Sequence, residues 1–171
     1  VELDGDVVIN ASVTAGAGTV TLRGVAGANS DLEINADVNS SNAIDWSVGR
    51  DILIGNTAAA IVSTSGAAQT ITLSAGRDII IGTMASSAVA ANGAGSDIVL
   101  TADAATSDGV GGVQILAGGL VDADDEVTIQ GSDVFATGGV VDSVNIVSDT
   151  VVTNVQVLAG GNIGIGGNAI V

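Results

Sequence analysis

The chain contains no cysteine, histidine, proline, tyrosine or lysine. Without Cys or His, neither a disulfide framework nor a Cys/His zinc site can form. A histidine general base, a cysteine nucleophile and a lysine Schiff base are excluded with them. The missing cysteines do not identify the redox compartment, because a repetitive interior can be stable without disulfides. Aromatic residues make up 1% of the chain, and they are Trp46 and Phe135. Positive charge is as scarce. Three arginines, Arg23, Arg50 and Arg77, stand against 19 acidic residues, for a net charge of −16. Phosphate contacts need clustered cations, so no nucleic-acid partner is expected. Anionic membrane surfaces are repelled, whereas divalent cations are attracted. No run of about 18 apolar residues appears, so no membrane insertion is expected. There is no starting Met and no signal-peptide pattern, and Val1 reads as the beginning of an excerpt from a longer protein.

What is present is repetition. Trp46-Ser47-Val48-Gly49-Arg50-Asp51-Ile52-Leu53-Ile54-Gly55 returns further along as Leu73-Ser74-Ala75-Gly76-Arg77-Asp78-Ile79-Ile80-Ile81-Gly82. A repeat at this spacing points to stacked similar units. The chain is 47% hydrophobic, mostly Val, Ile, Leu and Ala, with 25 Gly. Small branched residues fill a narrow, regular interior, whereas irregular cores lean on large aromatics. Thirteen short alternating apolar segments run from Val7-Val8-Ile9 to Ile163-Gly164-Ile165. Period-two alternation of this length is the strand signal. Gly, Asn, Asp and Ser separate the segments and mark turns. No segment has a convincing helical period. Residues 57–62 and 84–91 come nearest, and both read as loops or coil insertions.

Spacing selects among β architectures. The hairpin dipeptides are few: Asp4-Gly5, Asn92-Gly93 and Asp108-Gly109. Instead, strand residues sit 8 apart across a Gly-containing corner, as in Trp46/Ile54, Leu73/Ile81 and Val157/Ile165. A longer connection follows. This predicts an all-β, right-handed parallel β-helix, or β-solenoid. Each coil would have two strands at a tight corner plus a more variable side. Coils of roughly 19 to 27 residues predict about 7–8 coils in one continuous domain over residues 1–171.

The phrase Ala75-Gly76-Arg77-Asp78-Ile79-Ile80-Ile81-Gly82 resembles the repeats of filamentous-haemagglutinin-like proteins, bacterial exoproteins exported by two-partner secretion. Looser copies are Gly49-Arg50-Asp51-Ile52, Ser30-Asp31-Leu32, Ser96-Asp97-Ile98 and Ala159-Gly160-Gly161-Asn162-Ile163. The resemblance implies a right-handed parallel β-helix serving in adhesion, surface fibres or contact-dependent toxin delivery, at the cell surface or outside the cell. The family's secretion domain carries an Asn-Pro-Asn-Gly type motif, which a chain without proline lacks. The resemblance therefore places these residues in the shaft and transfers no functional residue.

Asp6, Asp31, Asp51, Asp78 and Asp97 each precede an apolar strand. They read as corner residues accepting backbone N–H bonds in an Asx-type turn, with an acidic cation ladder as the functional alternative. Arg50 and Arg77 are expected on adjacent coils beside Asp51 and Asp78, offsetting that charge. Asp122, Asp124, Asp125 and Glu126 form the densest acidic stretch, with Asp103 and Asp108 upstream. Ca²⁺ wants six to eight oxygens, so these four residues are the candidate calcium ligands. Their spacing matches neither the EF-hand nor the Gly-Gly-x-Gly-x-Asp repeat. A polysaccharide-active β-helix enzyme would need carboxylates, a unique basic partner and aromatic platforms. Arg50 and Arg77 are repeat-equivalent, and Trp46 occupies the position of Leu73, so Trp46 reads as core. The Thr19/Thr21 and Thr70/Thr72 pairs do not persist as an ice-binding array. Asn10, Asn35, Gly55 and Gly82 read as corner ladders.

The expected role is a non-catalytic shaft or subunit of an extracellular bacterial fibre or adhesin, requiring no cofactor, with Ca²⁺ the one candidate ion. The uncharged ending, residues 163–171, lacks a cap. The expected partners are therefore copies of the chain or adjacent coils stacked end to end. A surface-binding module with a cell-surface or matrix ligand is the alternative, and a polysaccharide-active enzyme the third reading.

Overall fold

The computed structural model describes residues 2–3, 5–24, 29–102, 111–116, 118–131, 133–136, 140–141, 144–148, 154–157 and 163–165, with side chains for 5–23, 29–102, 111–116 and 118–131. It is an all-β solenoid. From Glu2–Leu3 to Asn154–Val157, consecutive strands visit three parallel sheets in turn, and the sheets are eight, seven and six strands deep. One coil is traced by Ile44–Val48 on the first face, Ile52–Ile54 on the second and Ile61–Thr64 on the third. The next is Thr70–Ala75, Ile79–Ile81 and Ser87–Ala91. Every strand lies parallel to its counterpart one coil away, as with Ile52 opposite Ile79 and Ile54 opposite Ile81.

The alternating sequence produces this arrangement because successive strand residues point to opposite sides of the sheet. Thr70–Ala75 alternates half-buried and buried positions along its length. The inward residues then stack on their equivalents. On the first face Ile44, Ile71 and Ile98 form one column, and Trp46, Leu73 and Leu100 the next. The second face supplies Leu32, Ile52, Ile79 and Val113, and beside them Ile34, Ile54, Ile81 and Ile115. All of these are buried. Trp46 is fully buried, as its repeat position predicts, and its indole Nε1 has no hydrogen-bond partner among the described residues.

The third face differs. Its first inward column is valine (Val38, Val62, Val89 and Val121), but its second runs Ser40, Thr64, Ala91, Ala123. The buried hydroxyls are satisfied locally: Thr64 Oγ1 donates to the Asn42 carbonyl at 2.9 Å, and Ser40 Oγ accepts from Asn42 N at 3.0 Å. Residues 57–62 and 84–91, read from sequence as loops or insertions, therefore lead into third-face strands, Ile61–Thr64 and Ser87–Ala91. With only one large apolar residue per strand facing inward, the alternation was too weak to register as a strand.

Two other expectations are corrected. Coil length is less uniform than the sequence spacing suggests. The step along the chain from Ile79 to its register partner Val113 is twice as long as that from Val127 to Val144. The long step arises where the chain leaves the first face at Thr101 and rejoins the second at Gly112. The Val157/Ile165 spacing is not equivalent to Trp46/Ile54, because Asn154–Val157 lies on the second sheet and Ile163–Ile165 on the first. The same eight-residue spacing thus crosses different corners.

Corners stack as closely as strands. Gly55 N donates to the Ile34 carbonyl at 2.8 Å and Gly82 N to Ile54 at 3.0 Å, so the expected column at the second-face exit exists. Gly82 has φ +90°, and a Cβ there would lie 2.5 Å from Gly119 Cα. Gly18 has φ +105° but nothing within 4 Å of its missing Cβ. Gly82→Ala is therefore expected to destabilise by about 2–4 kcal/mol, from left-handed backbone plus overpacking, and Gly18→Ala by about 1–2 kcal/mol from backbone alone. Denaturation followed by the fluorescence of the single tryptophan checks this. Equal losses would contradict the close stacking at Gly82.

Candidate functional site

The corner between the first and second faces carries most of the charge chemistry. Its three residues, Gly49-Arg50-Asp51 and then Gly76-Arg77-Asp78, lie between the ends of adjacent strands. Successive corners hydrogen-bond through the backbone, Arg50 N to Ser30 O at 3.0 Å and Arg77 N to Arg50 O at 2.9 Å.

The aspartates form a ladder along this corner. Asp6 Oδ1 accepts the Asp31 N–H at 3.0 Å. Asp31 Oδ1 accepts Asp51 N–H and Asp51 Oδ1 accepts Asp78 N–H, each at 3.2 Å. Asp78 Oδ1 accepts Gly112 N–H at 3.0 Å. Each carboxylate thus accepts a backbone N–H, as expected of a corner residue, but the N–H belongs to the coil above and not to an Asx-type turn of its own corner. Asp97 does not belong to the ladder. It starts a first-face strand, pairs in register with Thr70 and donates its N–H to Gln69 O at 3.1 Å. Sequence reading grouped it with the others because it too precedes an apolar strand.

Like residues stacked at about 4.8 Å would place a line of negative charges on one edge. The arginines interrupt that line by reaching across coils. Arg50 donates Nε to Asp31 Oδ1 at 2.7 Å and Nη2 to Asp31 Oδ2. Arg77 repeats the pattern on Asp51, with Nε to Oδ1 at 2.9 Å and Nη2 to Oδ2. Each guanidinium also lies beside the aspartate of its own coil, Arg50 Nε 3.5 Å from Asp51 and Arg77 Nε 3.0 Å from Asp78. The result is a stair in which a fork grips the carboxylate below. Sequence reading placed each arginine beside its own aspartate and missed the cross-coil grip. The signal was present in the equivalence of Ser30-Asp31-Leu32 with Arg50-Asp51-Ile52.

Both guanidiniums are held above their ordinary value. For Arg50 the leading cause is the hydrogen bond to Asp31, and for Arg77 that to Asp51. A raised arginine contributes its full stabilisation at every pH below its unfolded value and loses it only as pH climbs through the folded one. Raising the pH from 7 to 10 is therefore expected to leave the stair intact.

A second ladder lies at the exit of the second face. Asn35 Nδ2 donates to Asn10 Oδ1 at 3.1 Å and to Glu33 Oε1 at 2.8 Å, and Asn56 Nδ2 donates to the same Glu33 oxygen at 3.0 Å. This carries out the structural role expected of Asn10 and Asn35.

The four candidate calcium ligands occupy the third-to-first corner and the strand before it. Asp122 points outward from Gly119–Ala123 and is half-buried, whereas Asp124, Asp125 and Glu126 are exposed. Asp124 Oδ2 accepts Gly95 N–H at 2.7 Å, and Glu126 Oε1 accepts from Thr128 Oγ1 at 2.9 Å. Among the described residues, no three acidic side chains converge as a metal cage would require. Asp103 and Asp108 lie outside the described residues, as does the side chain of Phe135.

Asp51 is 5% exposed and holds a backbone N–H and the Arg77 fork, whereas Arg23 and Asp45 form an exposed pair at 3.1 Å. Asp51→Ala is expected to cost about 2–3 kcal/mol, since a part-buried backbone donor and a charged partner lose their acceptor. Arg23→Ala is expected to cost about 0–1 kcal/mol. Urea denaturation of both variants checks the contrast, and equal effects would show the stair to be no stronger than a surface pair. No family model, no curated protein and no solved structure matches the chain.

Proposed function

We propose that the chain is a non-catalytic shaft segment or subunit of an extracellular bacterial surface fibre or adhesin, of the filamentous-haemagglutinin-like kind. In this reading the solenoid is right-handed and has seven to eight coils. Copies of the chain or adjacent coils continue the stack end to end.

The observation that carries the reading is the repetition of the polar contacts themselves. The groups best suited to chemistry, Asp31, Asp51, Arg50 and Arg77, make the same coil-to-coil bonds twice over. An active site needs a unique constellation held for a substrate. Here the charged side chains hold one coil to the next, which is what a load-bearing element requires. The 13% of charged residues, overwhelmingly acidic, keep the exterior hydrated.

Electron microscopy of the native material, with and without a calcium chelator, tests the proposal. Thin fibres with an axial repeat of about 4.8 Å are expected. The chelator is expected to leave them unchanged, because Asp124 and Glu126 already have protein donors. Compact discrete particles that bind a glycan or receptor through their loops would replace this reading with that of a binding module.

A further inference from the structure

We infer that the Asn92–Gly93 corner is a self-modifying site, where the asparagine closes on the following backbone nitrogen and converts to aspartate and isoaspartate. It is the chain's only asparagine followed by glycine. The reaction needs three things: an unengaged asparagine amide, a free backbone N–H on the next residue, and no side chain to obstruct the attack. Asparagine is thermolabile for this reason. The Asn92 side chain is exposed, and among the described residues neither its amide nor the Gly93 N–H makes a hydrogen bond. Every other asparagine is followed by a residue whose side chain obstructs the attack, and several described ones are also engaged. The Asn35, Asn42 and Asn56 amides donate to neighbours, and Asn39 accepts from Ser63 Oγ at 2.6 Å. The Thr57 N–H that follows Asn56 donates to Asn35 Oδ1 at 2.9 Å.

The step balances without an oxidant or cofactor. Gly93 N attacks Asn92 Cγ, a C–N bond forms, and ammonia leaves. Water then opens the cyclic imide at either carbonyl, giving aspartate or the backbone-lengthened isoaspartate.

The corner cannot absorb the longer product without loss. Asn92 N donates to Thr64 O at 2.9 Å, and Ser96 N donates to Gly93 O at 3.0 Å. Gly93 lies so close to the coil below that a Cβ would be 1.9 Å from Gly66 O. The new carboxylate would also lie one coil from Asp124, whose N–H bonds to Ala91 O at 3.1 Å. Conversion therefore both inserts a methylene into a close-packed column and stacks like charges.

The test holds the folded protein at mildly alkaline pH and warm temperature, then maps the amide-to-acid mass gain and the isoaspartate by fragmentation. The expected result is conversion at Asn92 before any other asparagine, and none at this position in Asn92→Ser. The converted protein is expected to unfold at lower denaturant than Asn92→Ser. Asn92→Asp, which carries the charge without the methylene, should fall between them and recover with added salt. Earlier conversion at another asparagine would overturn the inference. So would conversion at Asn92 only in the denatured chain.

Discussion

Parallel in-register stacking is the constraint on which everything else rests. Each residue on a face lies over its equivalent one coil away, so whatever the sequence places at a position it places in a column. For aliphatic residues this is favourable. Ile52 on Ile79 and Ile54 on Ile81 fill a narrow interior with identical shapes, and no large aromatic is needed. For charged residues it is unfavourable, because a column of aspartates stacks like charges. The Asp–Arg corner resolves the conflict by a one-coil offset. Asp31 and Asp51 each receive the fork of an arginine from the coil above as well as a backbone N–H. The bidentate geometry suits arginine, which agrees with three arginines and no lysine in the chain. It also ties the register of successive coils, since a slip by one residue would separate each fork from its carboxylate.

The same constraint explains where the chain tolerates irregularity. Strand lengths on the second face stay at three or four residues, because every inward residue must meet its neighbour. Corners absorb the variation instead, and coil steps differ by a factor of two without breaking the sheets. Loop closure entropy grows slowly with length, so the greater number of residues between Thr101 and Gly112 adds little cost. Where a corner is tight, it is occupied by Gly. Gly82 shows why: its backbone is left-handed, and the next coil's Gly119 fills the space a side chain would need.

Much of this was legible in the sequence, and the failures have physical causes. Apart from Glu2–Leu3 and Asp133–Ala136, the strands of the first two faces were readable because their inward positions carry paired large aliphatics at period two, as in Ile71 and Leu73 or Ile79 and Ile81. Trp46 was readable as core from its repeat equivalence with Leu73. The third face was not, because Ser40, Thr64 and Ala91 occupy an inward column that hydropathy does not mark. The aspartates were readable as corner residues that bind backbone N–H groups, but that these groups belong to the next coil, and that each arginine reaches the preceding one, follows only once Asp31, Asp51 and Asp78 are aligned as equivalents. Asp97 was misplaced because a residue before a strand can enter either the first face or the second, and linear position does not distinguish them. The acidic stretch at Asp122 to Glu126 was legible from its density. In space those carboxylates belong to a sheet face and a corner, and two of them bind protein donors.

The in-register parallel stack can be tested directly by a pair of cysteines, because the chain has none of its own. Thr72 and Val99 are register partners on the outward side of the first face, and Thr128 follows Val99 one coil further on. Adjacent strands bring Cα atoms to about 4.7–4.9 Å, inside the roughly 4.4–6.8 Å range a disulfide spans. The account predicts that Thr72→Cys with Val99→Cys forms an intramolecular disulfide on mild oxidation with the β spectrum retained, and that Thr72→Cys with Thr128→Cys stays reduced. A free dithiol in the first pair, or ready closure of the second, would contradict the stacking from which the rest of the account is built.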